Sequence, residues 1–174
     1  MKTAKQISLL VATEKQQAWV MVGAPGAGKS TYAAKLAKKE NAVIISGDNI
    51  RKELWGDAAF QGDWNSIRAR MEKLLTENLG RNIIIDGTHV MKAYREETIA
   101  LLRSYGYMQI EAVVIDASLD KCIMQNAARQ RNVPRYVIVD MWEKLQSSLK
   151  NLSDEDFSSV RFISEVYEPS CQLS

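Results

Sequence analysis

The chain is poor in the residues that build metal centres and covalent frameworks. Its 174 residues include one histidine, two cysteines and three prolines. A lone His89 rules out a histidine-rich metal site. Cys122 and Cys171 lie far apart and match no metal-ligand spacing. No apolar run approaches the roughly 18 residues that a membrane helix needs, so no membrane partner is expected. The apolar stretch within residues 1–13 is too short for a secretory signal, and charged residues follow it at once. We expect an amphipathic helix over about 1–16, packed on the rest. There is no internal repeat, low-complexity tract or Pro/Gly-rich linker. The net charge of +2 neither demands nor excludes a polyanionic partner, since a local basic stripe can hide in a balanced total. With 46% hydrophobic and 25% charged residues, the composition is that of an ordinary globular protein, and residues 1–174 suit one α/β domain.

What is present is more specific. Gly23-Ala24-Pro25-Gly26-Ala27-Gly28-Lys29-Ser30-Thr31 fits G-x-x-x-x-G-K-[ST]. Glycines let such a loop curl so that successive N–H groups point into one concavity and bind phosphate oxygens. In that pattern the lysine, Lys29, reaches the β- and γ-phosphates and the hydroxyl of Ser30 ligates Mg²⁺. The following helix aims its positive end at the same phosphates. The context agrees: the apolar run Trp19-Val20-Met21-Val22 precedes the loop, and good helix formers over 31–39 follow it. Together the loop and the isolated cysteines point to a reducing cytosol.

Four further strands are expected over 42–46, 82–86, 110–116 and 160–163. Helices are expected over 49–54, 64–80, 92–105, 119–129 and about 134–150, with Pro134 in the first turn of the last. Apolar strands alternating with helices imply a five-stranded parallel sheet with helices on both faces. Ligands of such sheets bind at the carboxyl ends of the strands, so the residues just after each strand carry the reading.

After the second strand stand Asp48 and Arg51. Phosphoryl transfer to an alcohol needs a group that orients the hydroxyl and accepts its proton; Asp48 suits that role, and equally suits a helix N-cap. Arg51, one turn on, can hold an anionic part of the acceptor. After the third strand stand Asp86, Thr88 and His89. Asp86 can hold Mg²⁺ directly or through water and is expected beside the substrate, Thr88 and His89 can contact substrate or phosphate, and His89 reads otherwise as a capping or surface histidine. Arg129, Arg131 and Arg135 fall at a helix end and in the turn before the next helix. One of them closing over the transferred phosphoryl group would make this segment a lid; exposed arginines balancing a helix dipole are the plain alternative. Finally, the aromatics of 55–64 and Arg68, Arg70 and Lys73 beyond them allow base stacking and phosphate tracking. The spacing of Ile67, Met71, Leu74 and Leu75 reads more simply as a core-facing helix.

The order of these motifs resembles the kinase domain of phage-type 5′-hydroxyl polynucleotide kinases and the zeta-toxin-like P-loop kinases around them. The matching residues are the loop 23–31, Ile-Ser-Gly-Asp-Asn-Ile-Arg (45–51), Ile-Ile-Asp-Gly-Thr-His (84–89), Tyr-Arg-Glu-Glu (94–97) and Asn-Ala-Ala-Arg-Gln-Arg (126–131), within about residues 18–150. The resemblance implies ATP-dependent, Mg²⁺-dependent phosphorylation of a 5′-hydroxyl end of DNA or RNA. It implies Lys29 and Ser30 on phosphate and metal, Asp48 as general base, Arg51 on the acceptor phosphate nearest the reacting end, and Arg129 stabilising the transition state. The chain departs from the family at Gly47, Asn49, Gln125 and His89, which bears on the acceptor more than on the chemistry. No 3′-phosphatase activity is expected, since the chain ends too soon for the phage enzyme's second domain. A kinase of a nucleoside, sugar or antibiotic hydroxyl would use the same loop, base and lid. A nucleotide-driven switch is disfavoured by the missing Asn-Lys-x-Asp motif and by a lid arginine supplied in cis.

Overall fold

The structure is a computed structural model that describes residues 16–128 and 133–164. Five strands form one sheet: β1 (Gln17–Val22), β2 (Ala42–Ser46), β3 (Asn82–Asp86), β4 (Gln109–Ile115) and β5 (Ser159–Ile163). Their order is β2-β3-β1-β4-β5 and every neighbouring pair is parallel, the architecture expected. Residues 18–22 of β1 and 83–85 of β3 are buried throughout. Strands buried on both faces need helices above and below, which parallel crossovers deliver.

Those helices are α1 (Lys29–Glu40), α2 (Gly47–Trp55), α3 (Trp64–Glu77), α4 (Lys92–Ser104), α5 (Leu119–Ala127) and α6 (Arg135–Ser148), the last running into a 3₁₀ turn, Leu149–Asp154. The alternation of β1 sorts them. Ala18, Val20 and Val22 share one core with Ile67 and Leu75 of α3 and Ile99 and Leu102 of α4. Trp19 and Met21 share the other with Ala33 and Leu36 of α1 and Cys122 of α5. Helix α6 serves both, through Ile138 and Trp142 on one side and Met141 and Leu145 on the other. Its Trp142 donates Nε1–H to the Ala117 carbonyl just past β4 (3.0 Å), and its Ser148 hydroxyl donates to the Val90 carbonyl just past β3 (2.5 Å). The helix therefore lies across the carboxyl ends of the strands.

Several boundaries differ from expectation. Strand β1 starts two residues early, because Gln17 N–H donates to Asn82 Oδ1 (3.1 Å) and Gln17 pairs with Gln109. Helix α2 starts at Gly47, which puts Asp48 in its first turn. Helix α3 stops at Glu77, where Asn78 folds its side chain back onto the Leu74 carbonyl (2.9 Å). Pro134 takes the N-cap position of α6 rather than a place inside it. The helix expected over 1–16 lies almost wholly outside the described residues. Among the described residues no helix is long and apolar enough to cross a membrane.

Candidate active site

The loop 23–28 leaves β1 at the carboxyl edge of the sheet and is fixed from three sides. Gly23 N–H donates to the Thr88 carbonyl beyond β3 (2.9 Å), and Ala27 N–H donates to the Ala24 carbonyl (3.2 Å). Gly26 has φ +82°, and a Cβ there would stand 2.2 Å from the Cys122 carbonyl oxygen. Helix α5 thus presses on bare backbone, and only glycine fits. Lys29 is 8% exposed and donates its Nζ to the Ala24 carbonyl (2.8 Å), so its ammonium lies along the inside of the curl.

Helix α1 begins at this loop without a side-chain cap and with no acidic residue in its first turn. Helix α3 is the contrast: its N-cap, Asp63, accepts from the N–H groups of Asn65 and Ser66. The start of α1 thus keeps its positive end for an outside anion. Its far end is closed by Asn41 in the left-handed region and by Lys38 and Lys39.

Ser30, the second residue of α1, donates its hydroxyl to Asp86 Oδ2 at the end of β3 (2.8 Å). Two hard oxygens side by side suit Mg²⁺, which takes one or two protein oxygens and fills the rest of its shell with water and phosphate. Both residues fit the ion by type and place.

Asp86 pairs across the sheet with Ser46, and Asp48 follows two residues later. The Asp48 side chain is 55% exposed and accepts from Arg51 Nη1 (3.0 Å). The N-cap alternative fails, since Ser46 holds that position. The Arg51 side chain is 18% exposed, and its Nε is buried with no hydrogen-bond partner among the described residues. A buried donor of a cation without an acceptor is costly, and an anionic ligand would relieve it.

Beyond β3 the sequence reading of His89 is corrected. It is neither a surface nor a capping residue. Its Nδ1 donates to the Met21 carbonyl of β1 (2.8 Å), which leaves Nε2 as an acceptor facing the Thr98 hydroxyl (3.2 Å). Its backbone sits at φ 45°. Burial of the ring pulls its pKa down to about 4, and the charges of Lys29 and Arg95 push the same way, against hydrogen bonds to the Met21 and Gly87 backbone. Thr88 enters the site through its carbonyl, which receives Gly23.

Arg95, part of the matching Tyr-Arg-Glu-Glu run (94–97) but with no role assigned from the sequence, holds this segment. Arg95 of α4 is fully buried and bonds both carboxylate oxygens of Glu155, Nε to Oε2 at 2.7 Å and Nη2 to Oε1 at 2.5 Å. Its Nη1 donates to the His89 carbonyl (2.9 Å) and to the Ser148 hydroxyl (3.1 Å). Arg95 therefore ties the chain after Asp86 to α6.

Of the lid arginines, Arg129 and Arg131 lie outside the described residues, and Arg135 is the exposed first residue of α6. The ends of their segment are joined: Asn126 Nδ2 donates to the Val133 carbonyl (2.9 Å) and Val133 N–H donates to Asn126 Oδ1 (3.0 Å). On α3, Ile67 and Leu75 are buried and Met71 and Leu74 pack against the core, as the spacing predicted. The cations of α3 are paired with carboxylates, which accords with the plainer reading of this helix. Arg68 pairs with Glu72 and Glu97, Arg70 with Glu53 and Glu77, and Lys73 with Glu77.

The family described as an AAA domain matches residues 19–152. No curated protein matches the chain. Among solved structures, a chain of the Pnkp1/Rnl/Hen1 RNA repair complex is similar at 22% identity and a TM-score of 0.68, over 78% of this chain and 46% of that one. A second Pnkp1/Rnl/Hen1 complex gives 25% identity and a TM-score of 0.54, over 63% and 38%. A chain of the PezAT chromosomal toxin-antitoxin system of the human pathogen Streptococcus pneumoniae gives 21% identity and a TM-score of 0.58, over 93% and 75%. The chain thus spans less than half the length of the RNA-repair chains it matches. The likeness is one of fold, an α/β P-loop kinase-like domain, for which a nucleotide and Mg²⁺ are the usual ligands.

Proposed function

We propose, from the premise that the chain belongs to the AAA-domain family, that it transfers the γ-phosphate of ATP to the 5′-hydroxyl end of a polynucleotide, DNA or RNA. The observation that carries this reading is the Asp48–Arg51 pair. Its exposed carboxylate, Asp48, follows the Ser46–Asp86 rung by two residues and its half-satisfied guanidinium, Arg51, by five, on the strand end next to the oxygens suited to the metal. A base and an anion holder at that place serve an alcohol acceptor that carries a phosphate.

In this reading the N–H groups of 23–31 and the Lys29 ammonium bind the β- and γ-phosphates. Ser30 and Asp86 hold Mg²⁺, which when bound neutralises charge on the phosphate oxygens. Asp48 accepts the proton of the 5′-hydroxyl as its oxygen bonds to the γ-phosphorus. The bond from phosphorus to the bridging oxygen breaks, and ADP leaves with that electron pair. Arg51 grips the acceptor's first phosphate, Thr88 lies beside it, and Arg129 spreads its planar fork over the oxygens on which charge develops. The likeness to RNA repair complex chains supports a nucleic-acid acceptor.

One observation favours a second reading, a kinase of small-molecule hydroxyls. The cations of α3 are committed to carboxylates, so the face offers little to a long polyanion. The test is transfer of labelled γ-phosphate to 5′-hydroxyl DNA and RNA oligonucleotides and to a nucleoside panel. Label on the 5′ ends is expected. Label on small hydroxyl compounds alone selects the second reading, and no transfer to any acceptor contradicts both.

A further inference from the structure

The connection from α2 to α3 is built rather than slack. Trp55 packs against the core, and Gly62, at φ +58°, lies so close over its indole that a Cβ would stand 2.3 Å from the ring. Phe60 meets Trp55 edge-on, with ring centroids 5.5 Å apart. Asp57 accepts from Ala59 N–H (2.8 Å), and Asp63 caps α3. This ordered loop nevertheless turns Phe60 and Trp64 outward, 53% and 51% exposed, while Tyr94 near the start of α4 is 54% exposed.

Helical spacing brings Trp64 and Tyr94 toward the same edge. Both α3 and α4 run away from the carboxyl edge of the sheet. At their far ends the Tyr107 hydroxyl, just past α4, donates to the Arg81 carbonyl, just past α3 (2.9 Å). Midway, Arg68 of α3 bonds Glu97 of α4. Trp64 precedes Arg68 by four residues and Tyr94 precedes Glu97 by three. On a helix such residues share a face, so both rings lie one turn nearer the carboxyl edge, on the sides the helices turn to each other. Among the described residues the ring pair in contact is Trp55–Phe60, and Trp64 and Tyr94 are half exposed.

We propose that Trp64 and Tyr94 form a stacking site for a nucleobase of the acceptor strand. The proposal rests on the reading of Asp48 and Arg51 as the acceptor end and names what that end recognises. Large half-exposed rings gathered at one edge mark a surface that a flat ligand covers. The chemistry selects a base over a run of phosphates. The cations of α3 are engaged by Glu53, Glu72, Glu77 and Glu97, whereas the one buried side-chain donor without a partner among the described residues, Arg51 Nε, belongs to α2, which Glu53 ties to Arg70 of α3. One phosphate at Arg51 and one base on the rings describe the first two nucleotides of a 5′-hydroxyl strand. Stacking on aromatic side chains tolerates any base, so the site confers little sequence preference.

The test is binding of a labelled single-stranded 5′-hydroxyl oligonucleotide, read by fluorescence anisotropy so that no turnover is needed. The intact strand is compared with strands abasic at the first, the second or both nucleotides. Loss of the stacked base is expected to weaken binding about tenfold at one of these positions. Trp64→Ala and Tyr94→Ala should weaken the intact strand by a similar factor and become indifferent to the abasic change. Trp64→Phe should recover most of the affinity. The exposure of both rings makes these variants safe for folding, and thermal melts check it. Indifference of the wild-type chain to both abasic positions, or unchanged binding by both alanine variants, overturns the proposal, as does failure to bind the strand. Base-dependent binding without phosphate transfer would keep the stacking site and remove the kinase reading. Transfer with base-independent binding would do the reverse.

Discussion

Where β1 and β3 end, polar groups are bonded to one another. Gly23 holds Thr88, Ser30 holds Asp86, the His89 ring holds Met21, and Arg95 ties the His89 carbonyl to Glu155 and Ser148. Where α2 and α3 begin, Asp48 is half exposed, Arg51 keeps a buried donor unmatched, and Phe60 and Trp64 face outward. In the proposed reading the first region is set in advance for a triphosphate, a ligand whose charge is always in the same place. Donors fixed before the charge arrives cost no reorganisation when it does. The second region leaves part of its bonding to a ligand from outside. In the proposed reading the difference separates the chemistry the fold shares from the acceptor this chain selects.

The largest effect should come from the fixed region. Lys29→Ala should abolish ATP turnover with the fold intact, because the buried ammonium of Lys29 lies along the inside of the phosphate-binding curl. ATP hydrolysis and transfer assays, with a thermal melt as control, check it; normal turnover in a folded variant removes the nucleotide reading. Asp48→Asn tests the open region. It keeps the hydrogen bond from Arg51 but cannot take a proton, so the transfer rate should fall roughly 10²–10⁴-fold with ATP affinity kept. A loss of stability with no loss of rate would make Asp48 a packing residue.

Next in size is the clamp behind the fixed region. Arg95→Ala leaves Glu155 as an uncompensated buried charge and should cost about 3–5 kcal/mol of stability. The double variant Arg95→Met with Glu155→Leu should melt close to wild type, since apolar replacement of both partners is near neutral. If the clamp sets the Asp86–Thr88 segment, that stable variant should still show a raised KM for ATP. A wild-type KM there would reduce the pair to core packing.

The histidine should give a smaller effect. Its folded pKa of about 4 lies below the ordinary 6.5, so the unfolded chain takes up the proton first as pH falls. Stability from neutral His89 is therefore full above about pH 6.5 and lost as pH drops toward 4, to a limit of about 3 kcal/mol. His89→Asn removes the titration and tolerates the positive φ. Its denaturation midpoint should fall less steeply between pH 6.5 and 4; parallel pH profiles would contradict the burial of the ring. The smallest effect concerns salt. With one phosphate held at Arg51, log affinity for an oligonucleotide should fall with log salt at a slope near −0.7. A slope several times steeper would mean that the paired arginines of α3 open to the strand.

Much of the fold was legible because it is written locally. The runs 42–46 and 82–86 are strands at the residues expected, and the glycine pattern of 23–28 fixed the loop between β1 and α1. What escaped depends on distant partners. Gln17 reads as polar and is a strand residue because Asn82 and Gln109 meet it. The partner of His89, Met21, lies 68 residues away, and that of Arg95, Glu155, lies 60 residues on, so local sequence does not reveal either contact. The exposed Trp64 and the buried Ile67 share one helix, and periodicity finds only the second. At the site, Ser30 and Asp86 meet because both follow strands that neighbour in the sheet, which the strand-end rule anticipates. Of the ion pairs on Arg68 and Arg70, the one to Glu72 follows the i,i+4 spacing of a helix, whereas those to Glu97 and Glu53 depend on distant partners.

The most direct test of the account is the preference for an acceptor carrying a phosphate next to the reacting hydroxyl. Rates of γ-phosphate transfer should be compared for a nucleoside and its 3′-phosphate, with the wild-type chain and with Arg51→Ala. The account predicts a clear preference for the 3′-phosphate that Arg51→Ala largely erases, because the lost contact is charge-assisted and specific to the anionic acceptor. Equal rates on the two acceptors, unchanged by Arg51→Ala, would contradict it and leave only the phosphate-binding half of the site.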